Sequence, residues 1–154
     1  MDYQLRKATA QDKDAILNLF PRLADFDIPT NRNPKHLWES DAKMFLEWMA
    51  GSRPDVDVSV AVSDKKVIGV AIVSEQKELL SDEPSAHLEV LALEKSAEGF
   101  GVATALMNES DKLAKKRGAK SMTLHVFANN TKARALYERQ GFDGELLRYI
   151  KPLD

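Results

Sequence analysis

Two stretches of this chain carry residue types and spacings that could do chemistry. The first runs from Glu94 to Met107, EKSAEGFGVATALM, and follows a hydrophobic run, LEVLAL, at Leu88–Leu93. Gly99 and Gly101 let the backbone turn tightly and let a ligand approach the main chain. The first turn of the helix that follows leaves N–H groups without internal partners at its partly positive end. Strand, glycine loop and helix together predict a phosphate site. A structural turn would account for the two glycines alone. A dinucleotide-binding fold would want a third glycine where Thr104 stands, and a P-loop would want Gly-Lys-Ser/Thr where this chain has Gly-Val-Ala. The second stretch is LHVFANNTKARALYERQGF, Leu124–Phe142. Ala133 and Tyr137 are four apart and so share a helical face, where the small residue would admit a ligand beside a phenol hydroxyl.

The elements that must position these residues are legible from periodicity. Tyr3–Lys7 alternates like a short strand. Thr9 reads as the N-cap of a helix over 10–20, with Asp12 three residues on in the manner of a capping box. A polar loop, Asp25–Lys35, holds Pro29 and Pro34. Leu37, Trp38, Phe45, Trp48 and Met49 then recur at helical intervals until Gly51, Ser52 and Pro54. Asp57–Val62 and Lys66–Val73 predict a hairpin, and Gln76–Ser85 a charged loop. In the strand His87–Leu93 the apolar positions change phase, which predicts a β-bulge near Val90–Leu91 or a strand buried on both faces. Val102–Lys116 is helical and stopped by Gly118. Ala119–Phe127 is a strand, Asn129 or Asn130 caps a helix over Thr131–Gln140, and Leu146–Ile150 is a last strand. The order β-α-α-β-β-β-α-β-α-β makes an α/β sheet with helices on its faces.

The chain has 154 residues, which predicts one domain spanning 1–154. Its 44% hydrophobic and 30% charged content are ordinary for a soluble globular protein, and a net charge of −2 gives no sign of a nucleic-acid surface. No apolar run approaches a membrane span, and the N-terminus lacks an apolar signal region, so a cytoplasmic protein without membrane or nucleic-acid partners is expected. There is no cysteine, which excludes a cysteine acyl-enzyme and thiolate metal sites. With only three scattered histidines besides, no metal is expected.

Taken together, the two stretches resemble the GNAT superfamily of acyl-CoA-dependent N-acetyltransferases. The family's Q/R-x-x-G-x-G/A loop falls on Glu98, Gly99, Phe100, Gly101, Val102 and Ala103. Its later motif, N-x-x-A-x-x-x-Y-x-x-x-G-F, is complete as Asn130, Ala133, Tyr137, Gly141 and Phe142. The resemblance implies a GNAT-type α/β fold: a mixed sheet of about six to seven strands with helices on both faces, splayed between the fourth and fifth strands. It implies acetyl-CoA as co-substrate, with pyrophosphate on the amides of Glu98, Gly99, Phe100, Gly101, Val102, Ala103 and Thr104. Pantetheine would run beside Leu91, Ala92 and Leu93, and Asn130, Ala133 and Tyr137 would meet the cofactor arm. The chain departs from the family at Glu98, where Gln or Arg is usual, and at Phe100, where a basic residue is frequent. An acid repels pyrophosphate, and the loop itself holds no offsetting cation. The term is ~0.3–1 kcal/mol for a surface charge, against ~1.5–3 kcal/mol for each amide donating to an anionic oxygen. Binding is therefore expected to survive, at lower affinity.

Without a cysteine, direct transfer to an amine is the simplest chemistry. Backbone N–H groups near the bulge, at Leu93 or its neighbour, would hold the oxyanion. Tyr137 would protonate the leaving thiolate. Glu89 is the first candidate base and His125, on the next strand, the second. Acidic residues in two regions, Asp25, Asp27, Glu39, Asp41 and Glu47, then Glu75, Glu78, Asp82 and Glu83, would favour a cationic acceptor, a primary amine of a small molecule or peptide. The alternative from another class is a non-catalytic acyl-CoA-binding sensor. A homodimer is compatible with the sequence.

Overall fold

The structure is a computed structural model and describes residues 1–153. Strands β1 (Gln4–Lys7), β2 (Val56–Ser63), β3 (Lys66–Lys77), β4 (Pro84–Leu93) and β5 (Met122–Thr123) form one sheet in the order β1-β2-β3-β4-β5. The first four pair antiparallel and β5 pairs parallel to β4. Helices α1 (Lys13–Leu17) and α2 (Glu39–Met49) lie before β2, α3 (Val102–Lys116) joins β4 to β5, and α4 (Thr131–Arg139) follows β5.

Alternation along the strands feeds two cores, one on each sheet face. Val58, Val60, Val70, Ile72 and Val90 pack with Ile16, Phe20 and Phe45 from the N-terminal helical region. Ala61, Ala71, Val73 and Leu88 pack with Val102, Leu106 and Met107 of α3, and Tyr137 and Phe142 join that cluster. The helix expected over 10–20 is α-helical only over Lys13–Leu17, and Pro21 limits it at its C-terminal end. It has no N–H to donate, and the chain passes from α1 into a 3-10 turn at Phe20–Ala24.

Asp12 anchors the start of this region. Its carboxylate accepts from the Thr9 N–H at 2.8 Å and from both terminal nitrogens of Arg6 at 2.7 and 2.9 Å. The Arg6 bond first, then the Thr9 amide, outweigh burial and hold the Asp12 carboxyl below its ordinary value of 3.8. A depressed carboxylate stabilises the fold above its unfolded value, and that contribution fades as pH falls through the folded value. Asp12→Asn is expected to cost about 1 kcal/mol at pH 7, as for loss of a helix cap. The gap between the two urea midpoints should close on acidification below pH 3.8. A gap independent of pH would mean that charge plays no part.

Four sequence expectations change. The sheet has five strands among the described residues, against the expected six to seven. The strand expected over Ala119–Phe127 pairs only at Met122 and Thr123. The strand expected at Leu146–Ile150 does not form, and residues 143–153 are exposed and unpaired. The charged loop shrinks to residues 78–83, because β3 and β4 extend to Lys77 and Pro84. Polar residues there lie on paired backbone, and ladder hydrogen bonds do not depend on side-chain polarity.

Candidate active site

The expected bulge exists, and its extra residue is Glu89. Val73 pairs with Leu88 and Ile72 with Val90, so Glu89 has no partner on β3. The phase slip thus falls one residue earlier than the apolar pattern suggested. Leu88 faces α3, Val90 and Ala92 face the α1–α2 side, and Leu91 and Leu93 return to the α3 side. A bulge re-aims a side chain and ends regular pairing. Here Glu89 accepts from Ser74 Oγ at 2.8 Å and from Gln76 Nε2 at 3.3 Å.

Strands β4 and β5 separate just before the bulge, since their pairing stops at His87 and Thr123. The Glu94 N–H donates back across the sheet to the Ile68 carbonyl. By alternation the N–H groups of Leu91 and Leu93 point the other way, into the opening gap. At the far end of β4, Gly99 and Gly101 adopt φ of 84° and 80°, a region that disfavours other residues. A Cβ on Gly99 would meet nothing within 4 Å, and one on Gly101 only the Tyr3 hydroxyl at 3.9 Å, so the space before the loop is open. The first helical bond of α3 runs from the Ala105 N–H to the Gly101 carbonyl, and the N–H groups of Val102, Ala103 and Thr104 have no carbonyl partner among the described residues. This cradle suits a diphosphate.

Glu98 is not an uncompensated acid, which corrects the expectation from sequence. Arg22 Nη2 reaches its Oε1 at 2.7 Å and Lys132 Nζ its Oε2 at 2.9 Å. The Lys132 bond first, together with Arg22, holds the Glu98 carboxyl below its usual range. Arg22 Nε also donates to the Leu93 carbonyl at 2.9 Å, so one guanidinium ties the end of β4 to the loop. Neither cation lies in the loop motif, so neither was recognisable by position. A cleft of about 470 Å³ beside the loop, lined by Arg22, Lys66, Glu94 and Lys95 among others, contains none of the other site residues expected from sequence.

On α4, Asn130 caps the helix by accepting from the Ala133 N–H at 3.4 Å. Tyr137 is half-buried and lies edge-on to Phe142, ring centroids 6.0 Å apart, against the cluster that Leu91 and Leu93 also touch. Burial pushes its phenol up, and its hydroxyl has no hydrogen-bond partner among the described residues. Phe100 is half exposed.

The other sheet face carries the titratable groups. His87 is buried, with Nδ1 2.7 Å from Thr123 Oγ1 and its ring 4.8 Å from that of His125. Burial lowers the His87 pKa, with Glu89 opposing and His125 adding to the effect. Asp41, in the first turn of α2, is pushed up to about 7, first by burial and then by the Glu89 carboxylate. Sequence reading placed Asp41 only in a general acidic rim. Its distinction comes from its burial and from the charge of Glu89 on the sheet, which no local pattern encodes. Much of the rest of that rim is neutralised: Asp25 pairs with Arg22, Glu75 with Arg117, Asp82 with Lys77 and Glu83 with Lys120, while Glu78 accepts from the amides of Leu80 and Ser81. Across the gap's rim, the Phe26 ring packs tilted against that of Phe127, centroids 5.5 Å apart, and Asn129 donates to the Asp27 carbonyl.

Thus the glycine cradle and Tyr137 lie on the α3 side, Glu89, Asp41, His87 and His125 on the α2 side, and the Leu91 and Leu93 amides point into the gap between the parted strands. No helix among the described residues is long and apolar enough to cross a membrane. Residues 20–142 match the model of the acetyltransferase (GNAT) family. An N-acetyltransferase of Methanocaldococcus jannaschii is 28% identical over 142 residues, covering 92% of this chain; the chain spans only 61% of that relative's length. N-alpha-acetyltransferase 30 of Schizosaccharomyces pombe is 30% identical over 108 residues, 70% of this chain and 71% of that protein. In three dimensions the chain is similar to the aminoglycoside 6'-N-acetyltransferase AAC(6')-Ih of Acinetobacter baumannii, with a TM-score of 0.76 at 16% identity over 99% of each chain.

Proposed function

The chain belongs to the GNAT family of acetyltransferases, and on that premise we propose that it moves an acetyl group from acetyl-CoA directly to a cationic primary amine. The observation that carries this reading is the opening between β4 and β5, with unpaired amides at its wall, positive-φ glycines before α3 at one end, and the Glu89 carboxylate held by Ser74 and Gln76 on the other side. When bound, acetyl-CoA supplies an acetyl thioester. The cradle from Glu98 to Thr104 holds the diphosphate, and Leu91 and Leu93 offer N–H groups to the arm and to the carbonyl oxygen as it gains charge.

Asp41 and Glu89 receive the ammonium of the acceptor, with Glu89 oriented by Ser74 and Gln76. Asp41 takes the proton, and the freed amine nitrogen bonds to the thioester carbon. As the C–S bond breaks, the Tyr137 hydroxyl gives its proton to the departing sulfur, and the second proton shed by the newly acylated nitrogen restores the phenol. The second candidate base, His125, lies beside buried His87 on the same face as Glu89. A positive acceptor is favoured because Asp41, Glu47 and Glu89 outnumber Arg53, the cation that feels Glu47 and Glu89. A relative named for N-alpha-acetylation and a structural neighbour named for an aminoglycoside are both consistent with amine acceptors.

The test is thiol release from acetyl-CoA with polyamines, aminoglycosides and peptides bearing free N-termini or lysines. Turnover on a cationic amine is expected. Calorimetric binding of acetyl-CoA without turnover on any amine would favour a sensor instead.

Compensation of Glu98 leads to a smaller prediction. Glu98→Gln frees two cations beside the diphosphate and should tighten acetyl-CoA binding about two- to fivefold, the range of a ~0.3–1 kcal/mol surface charge effect. Lys132→Ala should weaken binding by about the same factor. Both changes should shrink in high salt, because Lys132 is exposed. Weaker binding by Glu98→Gln would count against this account of the loop.

A further inference from the structure

The transfer reaction makes no use of the cleft of about 470 Å³ beside the loop, and its charges do not cancel. A second cleft, of about 410 Å³, shows the contrast. There Arg117 pairs with Asp57 and Glu75, Lys77 with Asp82, and Asp55 with Arg53. The cleft beside the loop instead gathers three cations: Arg22 from the turn after α1, Lys66 from the start of β3 and Lys95 just after β4. Glu94 is the only acid on its walls, and it is shared between Lys66 Nζ at 3.0 Å and Ser96 Oγ at 3.4 Å.

Spare donors remain in this cleft. Lys95 is exposed and joins no ion pair among the described residues. Arg22 donates once each to Leu93, Asp25 and Glu98, which leaves two of its five N–H groups without a partner among the described residues. Ala15 and Leu19 add apolar surface to the same walls. The volume is that of a small-molecule pocket and far exceeds what a bare ion fills. Surplus cations beside apolar surface, in a chain of net charge −2, suit an anion with an organic body.

We propose that this cleft binds a small organic phosphate, a phosphate monoester with a compact apolar body, separately from the acetyl-CoA cradle. Lys66, Lys95 and the spare N–H groups of Arg22 hold the phosphate, and Ala15 and Leu19 cover the body. Arg22 is the wall that this cleft shares with Glu98. A dianion there competes with Glu98 for one guanidinium and leaves that acid less compensated beside the cradle. Occupancy of the two sites is therefore opposed, and the opposition is reciprocal.

Calorimetry on the full chain with phenyl phosphate, and with inorganic phosphate for comparison, tests this. Phenyl phosphate should bind at one site per chain. Inorganic phosphate should bind about tenfold more weakly, since it covers neither Ala15 nor Leu19. Lys66→Ala/Lys95→Ala should weaken phenyl phosphate about tenfold or more, as for loss of a charge-assisted hydrogen bond. It should keep the wild-type thermal midpoint, because both side chains are exposed. Amide resonances of Asn18, Lys95 and Ser96 should shift as wild-type protein is titrated. Saturating acetyl-CoA should weaken phenyl phosphate about two- to fivefold and no further, the size of a surface charge effect. Absence of binding overturns the proposal, as does binding that survives the double variant or is as tight for inorganic phosphate. Complete displacement by acetyl-CoA also overturns it, because the anion would then sit in the cradle. Phenyl phosphate and the double variant decide the matter even if acetyl-CoA does not bind, so the acetyltransferase reading stands or falls separately.

Discussion

Tyr137→Phe is expected to lower the turnover number by ~10²–10⁴-fold, the usual contribution of a positioned proton donor. Acetyl-CoA affinity should stay nearly unchanged. The substitution deletes one oxygen and keeps the ring that packs against Phe142 and the α3-side cluster. Proton transfer from a phenol of pKa ~10 to a thiolate of ~8.5 is uphill by roughly 2 kcal/mol in isolation. Burial pushes the Tyr137 phenol higher still, so acidity is not its contribution. The same dry surroundings penalise a departing thiolate, and a donor already in place spares it from waiting for water. Steady-state kinetics with saturating amine, alongside calorimetry, measures both quantities. An unaltered turnover number would remove Tyr137 from this role, whereas a loss of affinity would recast it as a packing residue.

Asp41→Asn should abolish the acid limb of the kcat/KM profile, which in the wild type is expected to centre at about pH 7. Below that midpoint Asp41 keeps its proton and cannot accept another. The loss at high pH should be ~10²-fold or more, as for removal of a general base. Glu89→Gln should instead shift the limb downward, since it removes the negative charge that helps raise Asp41. A limb that stays in Asp41→Asn and vanishes in Glu89→Gln would transfer the role to Glu89. Stability should move the opposite way to activity. The folded pKa of Asp41 lies above its ordinary value of 3.8, so its stabilising contribution is complete below that value and is lost as pH rises through about 7. Asparagine resembles the protonated form, so Asp41→Asn should be more resistant to urea than the wild type at pH 8 and similar to it at pH 4. Sites that hold a carboxylate ready for a proton commonly sacrifice stability in this way.

The glycine loop and the α4 motif were legible because their constraints are local. A positive φ at Gly99 and Gly101, an asparagine cap and a four-residue helical spacing each follow from a few neighbouring residues. The bulge was legible too, though displaced, because a phase slip in apolar residues marks the extra residue only to within a position or two. Strand extent fared worse. Ala119–Phe127 and Leu146–Ile150 have good strand composition, but a strand is defined by a partner, and composition does not name one.

The sequence by itself determined the α/β order, the glycine turns that open α3, the placement of Tyr137 on one helical face and the absence of any cysteine chemistry. Only the tertiary structure decided that Arg22, 76 residues before Glu98 in the chain, and Lys132, 34 residues after it, neutralise that acid, and that burial and the Glu89 charge raise Asp41. Charge and burial act through space, over a few ångströms, and those distances exist only once helices from both ends of the chain have packed on the sheet.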